Sequence, residues 1–498
     1  MARGDEITKE RLRKLEEMRK QGINPYPHKF KKKDNASDLQ KKYSKLKDEE
    51  FGKEAVIAGR LMTLRNLGKI AFGNIQDFSG TIQIVLQDGK TKKQIFDLLN
   101  NFIDTGDIIG VKGKVFRTKR GELSVLVDEK GSLEILTKSI KPLPEKFHGL
   151  QDKEERYRKR YLDLIMNPEV KKVFEKREKI LESIREFLKL KEFNEVETPY
   201  LQTVYGGAAA RPFKTHINAL DMDLFLAISP ELYLKRLIVG GYEKVFTIAR
   251  NFRNEGIDRW HNPEFTMMEI YQAYADYNDM MKLTEDLFEY VAKKVNGTTK
   301  VNFKGKEIDF KAPWQRMTMA EAIKKFAKID VLKMNDNEIA KFAKENKLEL
   351  KSEKWGYAVQ SVFEHFCEEK IEQPTFITDH PIESTPLCKQ LRNGDKRLIE
   401  RFEPFCMGTE LANAYSELND PILQKQLLEE QQKMLKKGDD EANPYDSDFV
   451  NAIEIGLPPT GGLGIGIDRM IILLTGQESI RDIILFPFMK PEENQENK

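Results

Sequence analysis

Five side chains within one short segment suit the binding of a nucleotide beside a small charged molecule. Arg253 offers a planar guanidinium, which pairs bidentately with a phosphate or a carboxylate. Glu255 and Glu269 supply carboxylates. His261 can reach a terminal phosphate, and Phe265 offers a flat surface for a base. The segment therefore predicts a nucleotide site next to a site for a small ion.

A β-hairpin is the element that would position these groups. Residues 245–252 are apolar and aromatic and predict one strand, a polar turn follows, and residues 265–271 predict the returning strand. Arg253 and Glu255 are expected to share one face at the end of the first strand, because strand side chains alternate. The same alternation places on one face of the second strand Phe265, Met267, Glu269 and Tyr271.

Two glutamates form a second candidate site. Magnesium prefers a few carboxylates together with phosphate oxygens, so Glu410 and Glu417 are predicted to hold the metal of a triphosphate. On a helix, their spacing is two turns and puts both on one face. On a strand, the same spacing requires a bulge or a turn. The periodicity leaves both possibilities open.

A glycine-rich segment near the C-terminus is the third candidate. Glycine lets the backbone approach a ligand closely. Arg469 follows the glycines at the head of a predicted helix, where an anion is also favoured. The glycines are Gly461, Gly462, Gly464 and Gly466.

The N-terminal part has a different pattern of apolar and polar residues. Residues 55–136 form short alternating runs punctuated by glycine, which predict an OB-like β-barrel of about five strands. Such a barrel commonly binds single-stranded nucleic acid by stacking bases on aromatic rings beside basic side chains. Arg65, Phe72 and Gln83 are the candidates for that contact.

Helices are predicted on either side of the hairpin. Asn167 and Pro168 begin one that runs to about Lys191. Its apolar stripe fits burial in a two-fold dimer or inside the monomer equally well: Val173, Ile180, Ile184, Phe187 and Leu188. Residues 318–370 predict an inserted helical subdomain, with no chemistry that the pattern reveals.

The chain as a whole fits a cytoplasmic enzyme of two to three domains. It has 498 residues and a formal net charge of +2. No apolar run reaches the roughly 20 residues of a membrane-spanning helix, and the charged N-terminus lacks a signal core. Cys367, Cys388 and Cys406 lack metal-ligand spacing and fit a reducing compartment.

Three of these segments resemble the signature motifs of class II aminoacyl-tRNA synthetases. They are the helix and extended segment ending at Pro199, the hairpin with Arg253-Asn254-Glu255, and the turn at 464–469. The OB-like region is typical of the subgroup for lysine, aspartate and asparagine. Within that subgroup, four segments are similar to the bacterial lysyl-tRNA synthetase family: GGAAARPF (206–213), PELYLK (230–235), HNPEFTMMEIY (261–271) and SELND (416–420).

The resemblance implies an α+β protein, in which an N-terminal OB-fold β-barrel precedes a class II catalytic domain with an antiparallel sheet flanked by helices. It also implies a homodimer formed through the helix after Asn167. The expected parts are an N-terminal helical extension (1–50), an OB-fold anticodon-binding domain (51–140), a linker (141–155) and the catalytic domain (156–498) with a helical insertion at about 318–370.

The implied reaction is ATP-dependent ligation of L-lysine to the 3′ end of tRNA(Lys) through a lysyl-adenylate, with Mg²⁺ as cofactor. Arg253 would bridge the ATP α-phosphate and the lysine carboxylate, and Arg469 would be the second catalytic cation. The further ATP contacts implied are Glu255 and Asn262, Phe265 with Arg469 around adenine, His261 at the distal phosphates, and Glu410 and Glu417 through magnesium.

Lysine itself requires acceptors at the far end of its pocket, because a buried ammonium without a counter-charge is costly. Glu231, Glu269 and Tyr271 meet that need. An aspartate or asparagine pocket would instead want a cation or an amide donor. The residues implied to enclose lysine are Gly207, Glu231, Arg253, Glu269, Tyr271, Asn419 and Gly464, and those implied at the anticodon are Arg65, Phe72 and Gln83.

One position departs from the family pattern. Bacterial relatives usually carry arginine directly before the histidine of HNPEF, whereas this chain has Trp260, with Arg259 before it as an alternative cation for the γ-phosphate. Three other readings fit the residues less well. The acidic pocket argues against an aspartyl or asparaginyl enzyme, the complete set of polar site residues against a catalytically silent nucleic-acid-binding protein, and the barrel at 55–136 against a ligase that lysylates a protein.

Overall fold

The computed structural model describes residues 3–144, 150, 152–439 and 441–492. The chain divides into two compact units, Met1–Gln151 and Asp152–Lys498. This division falls inside the predicted linker at 141–155, of which residues 145–149 and 151 lie outside the described residues.

The first unit is built around a closed sheet. Strands follow the order β1-β2-β3-β5-β4, and β4 pairs again with β1, which closes the ring. Only β3 and β5 run parallel in this ring. Alternate residues such as Ile57, Ile84 and Val111 point inward and are buried, as the period of two predicts. The elements are α1 (Arg3–Lys20), α2 (Ala36–Lys42), β1 (Phe51–Asn66), β2 (Ile70–Gln76), β3 (Thr81–Gln87), α3 (Lys93–Phe102), β4 (Ile108–Arg117), β5 (Leu123–Leu126) and β6 (Ser132–Thr137).

The second unit is built around one large sheet with helices against it. Its elements are α4 (Lys153–Arg158), α5 (Arg160–Met166), α6 (Pro168–Leu190), β7 (Asn194–Glu195), β8 (Leu201–Gln202), β9 (Lys214–Ile217), β10 (Met222–Leu226), α7 (Glu231–Val239), β11 (Lys244–Phe252), β12 (Glu264–Ala273), α8 (Tyr277–Asn296), β13 (Lys300–Phe303), β14 (Lys306–Asp309), β15 (Gln315–Thr318), α9 (Met319–Phe326), α10 (Asp336–Glu345), α11 (Trp355–Phe366), β16 (Thr375–Pro381), β17 (Leu398–Cys406), β18 (Thr409–Glu410), β19 (Ala412–Ser416), α12 (Pro421–Lys436), α13 (Ser447–Gly456), β20 (Thr460–Gly466), α14 (Ile467–Thr475) and α15 (Ile480–Ile483).

The strands of the large sheet follow the order β15-β16-β17-β19-β20-β12-β11-β7, with β18 added on β17. The interior pairs are antiparallel, and only the outermost pairs, β15 with β16 and β11 with β7, are parallel. Helices α6, α8 and α14 share one apolar core with the sheet, and α7 and α13 share another. The predicted α+β class with a helix-flanked, mainly antiparallel sheet is therefore confirmed.

The apolar stripe of helix α6 is expected to be buried either in a dimer or inside the monomer. Ile180, Ile184, Phe187 and Leu188 are buried in the core that the helix shares with α8, and Val173 packs against it. Burial inside the unit therefore accounts for the stripe. Asn167 precedes the helix as predicted, but its side-chain amide donates to Asp163 (2.7 Å) instead of capping the first turn.

Helices α9, α10 and α11 follow β15 and precede β16 in the chain, within the residues for which a helical insertion is predicted. Their apolar core includes Ile339, Trp355 and Val359 and is shared with the large sheet through Ile377, Leu398 and Phe405. Among the described residues, none of the helices is long and apolar enough to cross a membrane.

Candidate active site

A cleft of about 640 Å³ opens over the centre of the large sheet. Its floor is formed by β12, β20 and β19, whose residues face each other in registered rows. In one row Asn413 lies opposite Gly464, and Gly464 opposite Glu269. In the next row Tyr415 lies opposite Gly462, and Gly462 opposite Tyr271. The glycines leave open space between the larger side chains on either side.

The predicted hairpin is present, and β12 directs its side chains as the alternation predicts. The four residues that share this face all line the cleft: Phe265, Met267, Glu269 and Tyr271. The first strand, β11, ends at Phe252 as predicted. Arg253 and Glu255 therefore lie in the loop after the strand, although both still line the cleft.

Arg253 lies at the mouth of the cleft beside the aromatic plate. Its guanidinium carbon is 5.1 Å from the centre of the Phe265 ring, within the range of a cation–π contact. Its Nε is buried and has no hydrogen-bond partner among the described residues. Burial lowers the pKa of Arg253, and Glu255 and Glu410 oppose that change. An arginine stays charged under such shifts, so the cleft holds a cation with donor capacity left for a ligand.

The turn of the hairpin is fixed by its own polar side chains. His261 Nδ1 lies 2.8 Å from Asp258, and its Nε2 lies 3.4 Å from the Arg469 guanidinium. Asn262 lines the cleft, but its amide donates to the Glu264 carbonyl (2.6 Å) and its oxygen accepts from the Phe488 N–H (3.3 Å). In this arrangement Asn262 shapes the loop rather than presenting a free amide.

Trp260, the residue that departs from the family pattern, packs against the core. Its ring centre lies 6.4 Å from that of Phe303. Arg259 stacks over Trp260 at 5.7 Å and does not line the cleft; it lines a neighbouring cavity together with Lys304 and Arg481. The structure therefore does not place Arg259 where a γ-phosphate in the cleft would be reached.

Two buried carboxylates form the inner end of the cleft. Glu231 and Glu269 are only 4% and 3% exposed, and both line the cavity. Ser229 links them, because its hydroxyl donates to Glu269 (2.7 Å) and accepts from the Glu231 backbone N–H (3.1 Å). Tyr271 also donates to Glu269 (3.2 Å). Burial, and secondly Glu231, raise the pKa of Glu269 to about 8.

Three residues that the sequence did not single out complete this end of the cleft, which we call the end wall. Tyr415 donates to Glu231 (2.6 Å), and Lys235 donates to the same carboxylate (2.6 Å). Asn413 lines the cleft and accepts from Arg401 (2.9 Å). Nothing local in the sequence distinguishes them: strand pairing brings Asn413 and Tyr415 to the cleft, and Lys235 lies behind it, buried against Glu231.

Glu417 belongs to this end wall and not to the phosphate end, which corrects its predicted pairing with Glu410. Its carboxylate is completely buried and forms an ion pair with Lys235. Gly462 makes room for it, since a Cβ there would lie 1.8 Å from Glu417 Oε1. Glu410 ends β18 and Glu417 follows β19, so extended chain separates them by on the order of 20 Å. The extended chain is interrupted at Leu411, between β18 and β19, and this is the irregularity that is expected if the two glutamates lie on strands.

Glu410 lies instead beside Glu403 and two arginines. It accepts from Arg469 at 3.2 Å, and Arg401 pairs with Glu403 at 2.5 Å. Glu403 and Glu410 both line the cleft. Burial raises the pKa of Glu410, and the charge of Glu403 adds to that rise. Glu403, and not the predicted Glu417, is therefore the carboxylate that accompanies Glu410 at this site.

Asn419 has a different role from the predicted one. Its amide donates to the Leu457 carbonyl (3.0 Å), and it does not line the cleft. Gly207 and Gly464 do line it. Gly207 has a φ of +84°, and a Cβ there would lie 2.8 Å from atoms of Ser229 and Glu231, so only glycine suits this position beside the end wall.

Arg469 is held in place by the residue before it. Asp468 is buried, pairs with Arg177 of α6 (2.7 Å), and accepts from the backbone N–H of Thr266 in β12 (2.7 Å). One carboxylate thus ties α14 to a helix and to the hairpin. Arg469, in the first turn of α14, consequently faces the cleft and bonds Glu410.

The three candidate nucleic-acid contacts lie on one outer face of the first unit. Arg65 pairs with Phe72 across β1 and β2, and Asn74 pairs with Gln83 across β2 and β3. Phe72 is half-buried and Arg65 is exposed. Ser124 donates to Gln83 at 2.9 Å.

Known families match both units. The profile described as "tRNA synthetases class II (D, K and N)" matches residues 152–490, and the one described as "OB-fold nucleic acid binding domain" matches residues 55–136. The second match supports the OB-fold expected for the closed sheet. The chain belongs to the family of class II tRNA synthetases of the aspartate, lysine and asparagine group.

Relatives that match nearly the full length of the chain are named for lysine, one of the three amino acids of this group. A lysine–tRNA ligase of Clostridium novyi (strain NT) is 52% identical over 491 residues, which is 97% of this chain and 94% of the relative. A lysine–tRNA ligase of Methanoculleus marisnigri is 50% identical, covering 96% and 94%. One of Pelotomaculum thermopropionicum is 52% identical, covering 98% and 96%.

Proposed function

We propose that the protein is an ATP-dependent ligase that joins L-lysine to the 3′ end of tRNA(Lys) through a lysyl-adenylate. The observation that carries this proposal is the pair of buried carboxylates, Glu231 and Glu269, at the inner end of a cleft whose mouth holds Arg253. Lysine matches this order of charges, because it carries an ammonium group at the end of its side chain and a carboxylate at the other end. The relatives named lysine–tRNA ligase support the same assignment.

The first step needs placement rather than a protein nucleophile. The lysine carboxylate attacks the α-phosphorus of ATP, the bond to the β-phosphate oxygen breaks, and pyrophosphate leaves. Arg253 pairs with the reacting carboxylate and α-phosphate, where negative charge develops. Arg469, held by Glu410 and next to His261, supplies a second cation toward the nucleotide. The terminal ribose hydroxyl of tRNA then attacks the lysyl carbonyl, and AMP leaves.

The end wall recognises the side chain of lysine. Glu269 has only neutral donors, Ser229 and Tyr271, so it can accept from an ammonium group. Glu417 Oε1 is buried and lacks a hydrogen-bond donor among the described residues. Because Gly462 has no side chain, that oxygen lies next to the floor of the cleft. Aspartate or asparagine would leave these acceptors unpaired, which is costly.

Magnesium would be held by Glu403 and Glu410, which both line the cleft. The described residues contain no group of three or more His, Cys, Asp or Glu side chains arranged to hold a metal ion. Two carboxylates with phosphate oxygens are the ligand set that magnesium commonly takes. The bound metal would neutralise phosphate charge, while Glu403 stays oriented by Arg401.

The remaining partners follow from this reaction. The outer face with Arg65, Phe72 and Gln83 would stack and bind anticodon bases of tRNA(Lys). We further propose that the enzyme is a homodimer, as the family resemblance implies, and acts in the cytoplasm. Buried, unpaired thiols of Cys367, Cys388 and Cys406 fit a reducing compartment.

Amino-acid-dependent exchange of pyrophosphate into ATP, measured for all twenty amino acids, tests the proposal directly. We expect lysine to support exchange and aspartate and asparagine to give background. Exchange supported by aspartate or asparagine, or by no amino acid, would refute the assignment. Charging of purified tRNA(Lys) but not tRNA(Asp) tests the second step.

A further inference from the structure

The end wall contains a lysine of the protein's own. Lys235 lies one turn after Glu231 in α7, and its side chain is completely buried. Its Nζ lies 2.6 Å from Glu231 and also forms an ion pair with Glu417. The rings of Tyr415 and Phe449 lie below the ammonium at 5.5 and 5.7 Å. The ammonium is thus held on several sides and does not reach the cleft.

This ammonium changes the charge that the end wall offers to a guest. Glu231, Glu269 and Glu417 are all buried, and Lys235 is the cation packed among them. Burial lowers the pKa of Lys235, but Glu231 and Glu417 raise it above its ordinary value, so the residue is an ammonium. Burial raises the pKa of Glu269 to about 8 and also raises that of Glu417, so both groups favour the protonated form. Lys235 opposes this rise at Glu417 and so favours the ionised carboxylate that a cationic guest needs.

Without the ammonium, the same carboxylates would be unstable as a group. A buried carboxylate that lacks a counter-charge takes up a proton or turns toward solvent. Either change would remove from the end wall the fixed acceptors that a cationic guest needs. Removal of Lys235 would take away a cation that repels the ammonium of the substrate. The loss of ionised, oriented carboxylates outweighs that gain, so binding of the substrate weakens.

We propose that Lys235 is a positioning residue that determines amino-acid specificity: its fixed ammonium pairs with Glu231 and Glu417, orients both carboxyl groups toward the end wall and favours their ionised forms. This inference rests on the proposed function. Lys235 does not touch the reacting atoms, so it acts through the two glutamates.

Replacement of the charge alone gives the sharpest test. Lys235→Met keeps most of the stem volume and removes the ammonium. In lysine-dependent pyrophosphate exchange we expect the KM for lysine to rise at least about tenfold, as when one partner of a buried pair is lost, with the KM for ATP changed by less than about twofold. A purely structural role would alter the melting temperature and active fraction without this split.

Lys138 offers a matched control. It is another completely buried lysine, paired with Asp104 (2.5 Å) and Asp107 (2.8 Å) in the first unit, and none of the three lines the cleft. Lys138→Met should lower the melting temperature and leave both KM values unchanged. An equal rise in the KM for lysine in both variants would overturn the inference.

Chemical rescue keeps the inference testable if Lys235→Met folds poorly. Lys235→Ala, purified with propylammonium, regains the atoms that were removed, and 1-propanol is a neutral mimic of the same size. We expect propylammonium to lower the KM for lysine at least about fivefold in this variant and to leave the wild type unimproved. Equal rescue by 1-propanol, or a KM for lysine within twofold of wild type in both variants, would overturn the role of the charge. Absence of lysine-dependent exchange in the wild type would instead refute the proposed function.

Discussion

Arg253 and Glu269 put a guanidinium and a titratable carboxyl group into one cleft, and burial opposes the charged form of each. Burial lowers the pKa of Arg253 and raises that of Glu269. Groups whose pKa values are displaced by burial and by specific neighbours are typical of functional sites. Both side chains are also oriented by the hairpin, so their separation is fixed before a substrate arrives.

Loss of the Arg253 guanidinium should disable adenylate formation. We expect Arg253→Ala to lower kcat in lysine-dependent pyrophosphate exchange by about 10²–10³-fold, the range for removing one charge-stabilising donor. Arg250→Ala is the matched control, because Arg250 is an exposed arginine of the same hairpin and does not line the cleft. Full exchange activity in Arg253→Ala would contradict the assigned role.

Glu269 should make the stability of the ligand-free protein depend on pH. Its pKa in the fold is raised to about 8 from an ordinary value of 4.5, so its favourable contribution is present at low pH and is lost as pH rises through about 8. Glu269→Gln should therefore melt higher than the wild type at pH 8.5, by at least about 2 °C, and the difference should shrink at pH 5.

Calorimetry at these two pH values, with and without lysine, measures the effect. Glu264→Gln, an exposed change on the same strand, is the control and should follow the wild type. A Glu269→Gln protein with the pH slope of the wild type would show that Glu269 does not titrate in this range.

Among the secondary-structure elements, the contact between α14 and the hairpin decides whether Arg469 faces the nucleotide. Asp468 is 3% exposed and bonds both Arg177 and the backbone of Thr266. The short helix contributes apolar residues to the core, but those contacts alone do not fix its rotation. The buried carboxylate supplies the specific orientation.

Asp468→Asn should therefore destabilise the fold and the site together. We expect a loss of about 2–4 kcal/mol in the free energy of unfolding, somewhat below the value for a fully buried pair because Arg177 keeps 15% exposure. Urea unfolding measures it, and kcat is compared at a temperature where the variant is folded. Glu186→Gln removes an exposed ion pair of α6 and should leave the free energy of unfolding close to that of the wild type. Equal stability of the two variants would contradict this account.

Across the whole molecule, the two units carry separate tasks under the proposed function. The cleft and its end wall lie entirely in the second unit, and the face with Arg65, Phe72 and Gln83 lies in the first. Adenylate formation requires only the cleft. Selection of the tRNA requires the stacking face as well, so the two activities can be separated by mutation.

Phe72→Ala should weaken the use of tRNA without affecting adenylate formation. Loss of one base-stacking ring is worth about 1–3 kcal/mol, so we expect the KM for tRNA(Lys) to rise by roughly fivefold or more. Lysine-dependent pyrophosphate exchange should be unchanged. Phe51→Ala, which removes a 46% exposed ring of the same unit outside this face, is the control. Loss of exchange in Phe72→Ala as severe as in Arg253→Ala would refute the division of tasks.

The sequence by itself determined the features that depend on near neighbours in the chain. Alternation along one strand placed Phe265, Met267, Glu269 and Tyr271 on a common face, because a period of two is a property of the extended backbone. The alternating strands of the first unit and the helix after Asn167 followed from equally local patterns.

The tertiary structure alone decided which distant groups meet. Glu417 pairs with Lys235, Glu410 lies with Glu403, and Asn413 rather than Asn419 lines the cleft. These outcomes depend on the register of β17, β19 and β20 and on the break at Leu411. A shift of one residue in that register would turn every side chain to the opposite face of the sheet. The register is fixed only when the strands pair, so it cannot be read from the residue types of one strand.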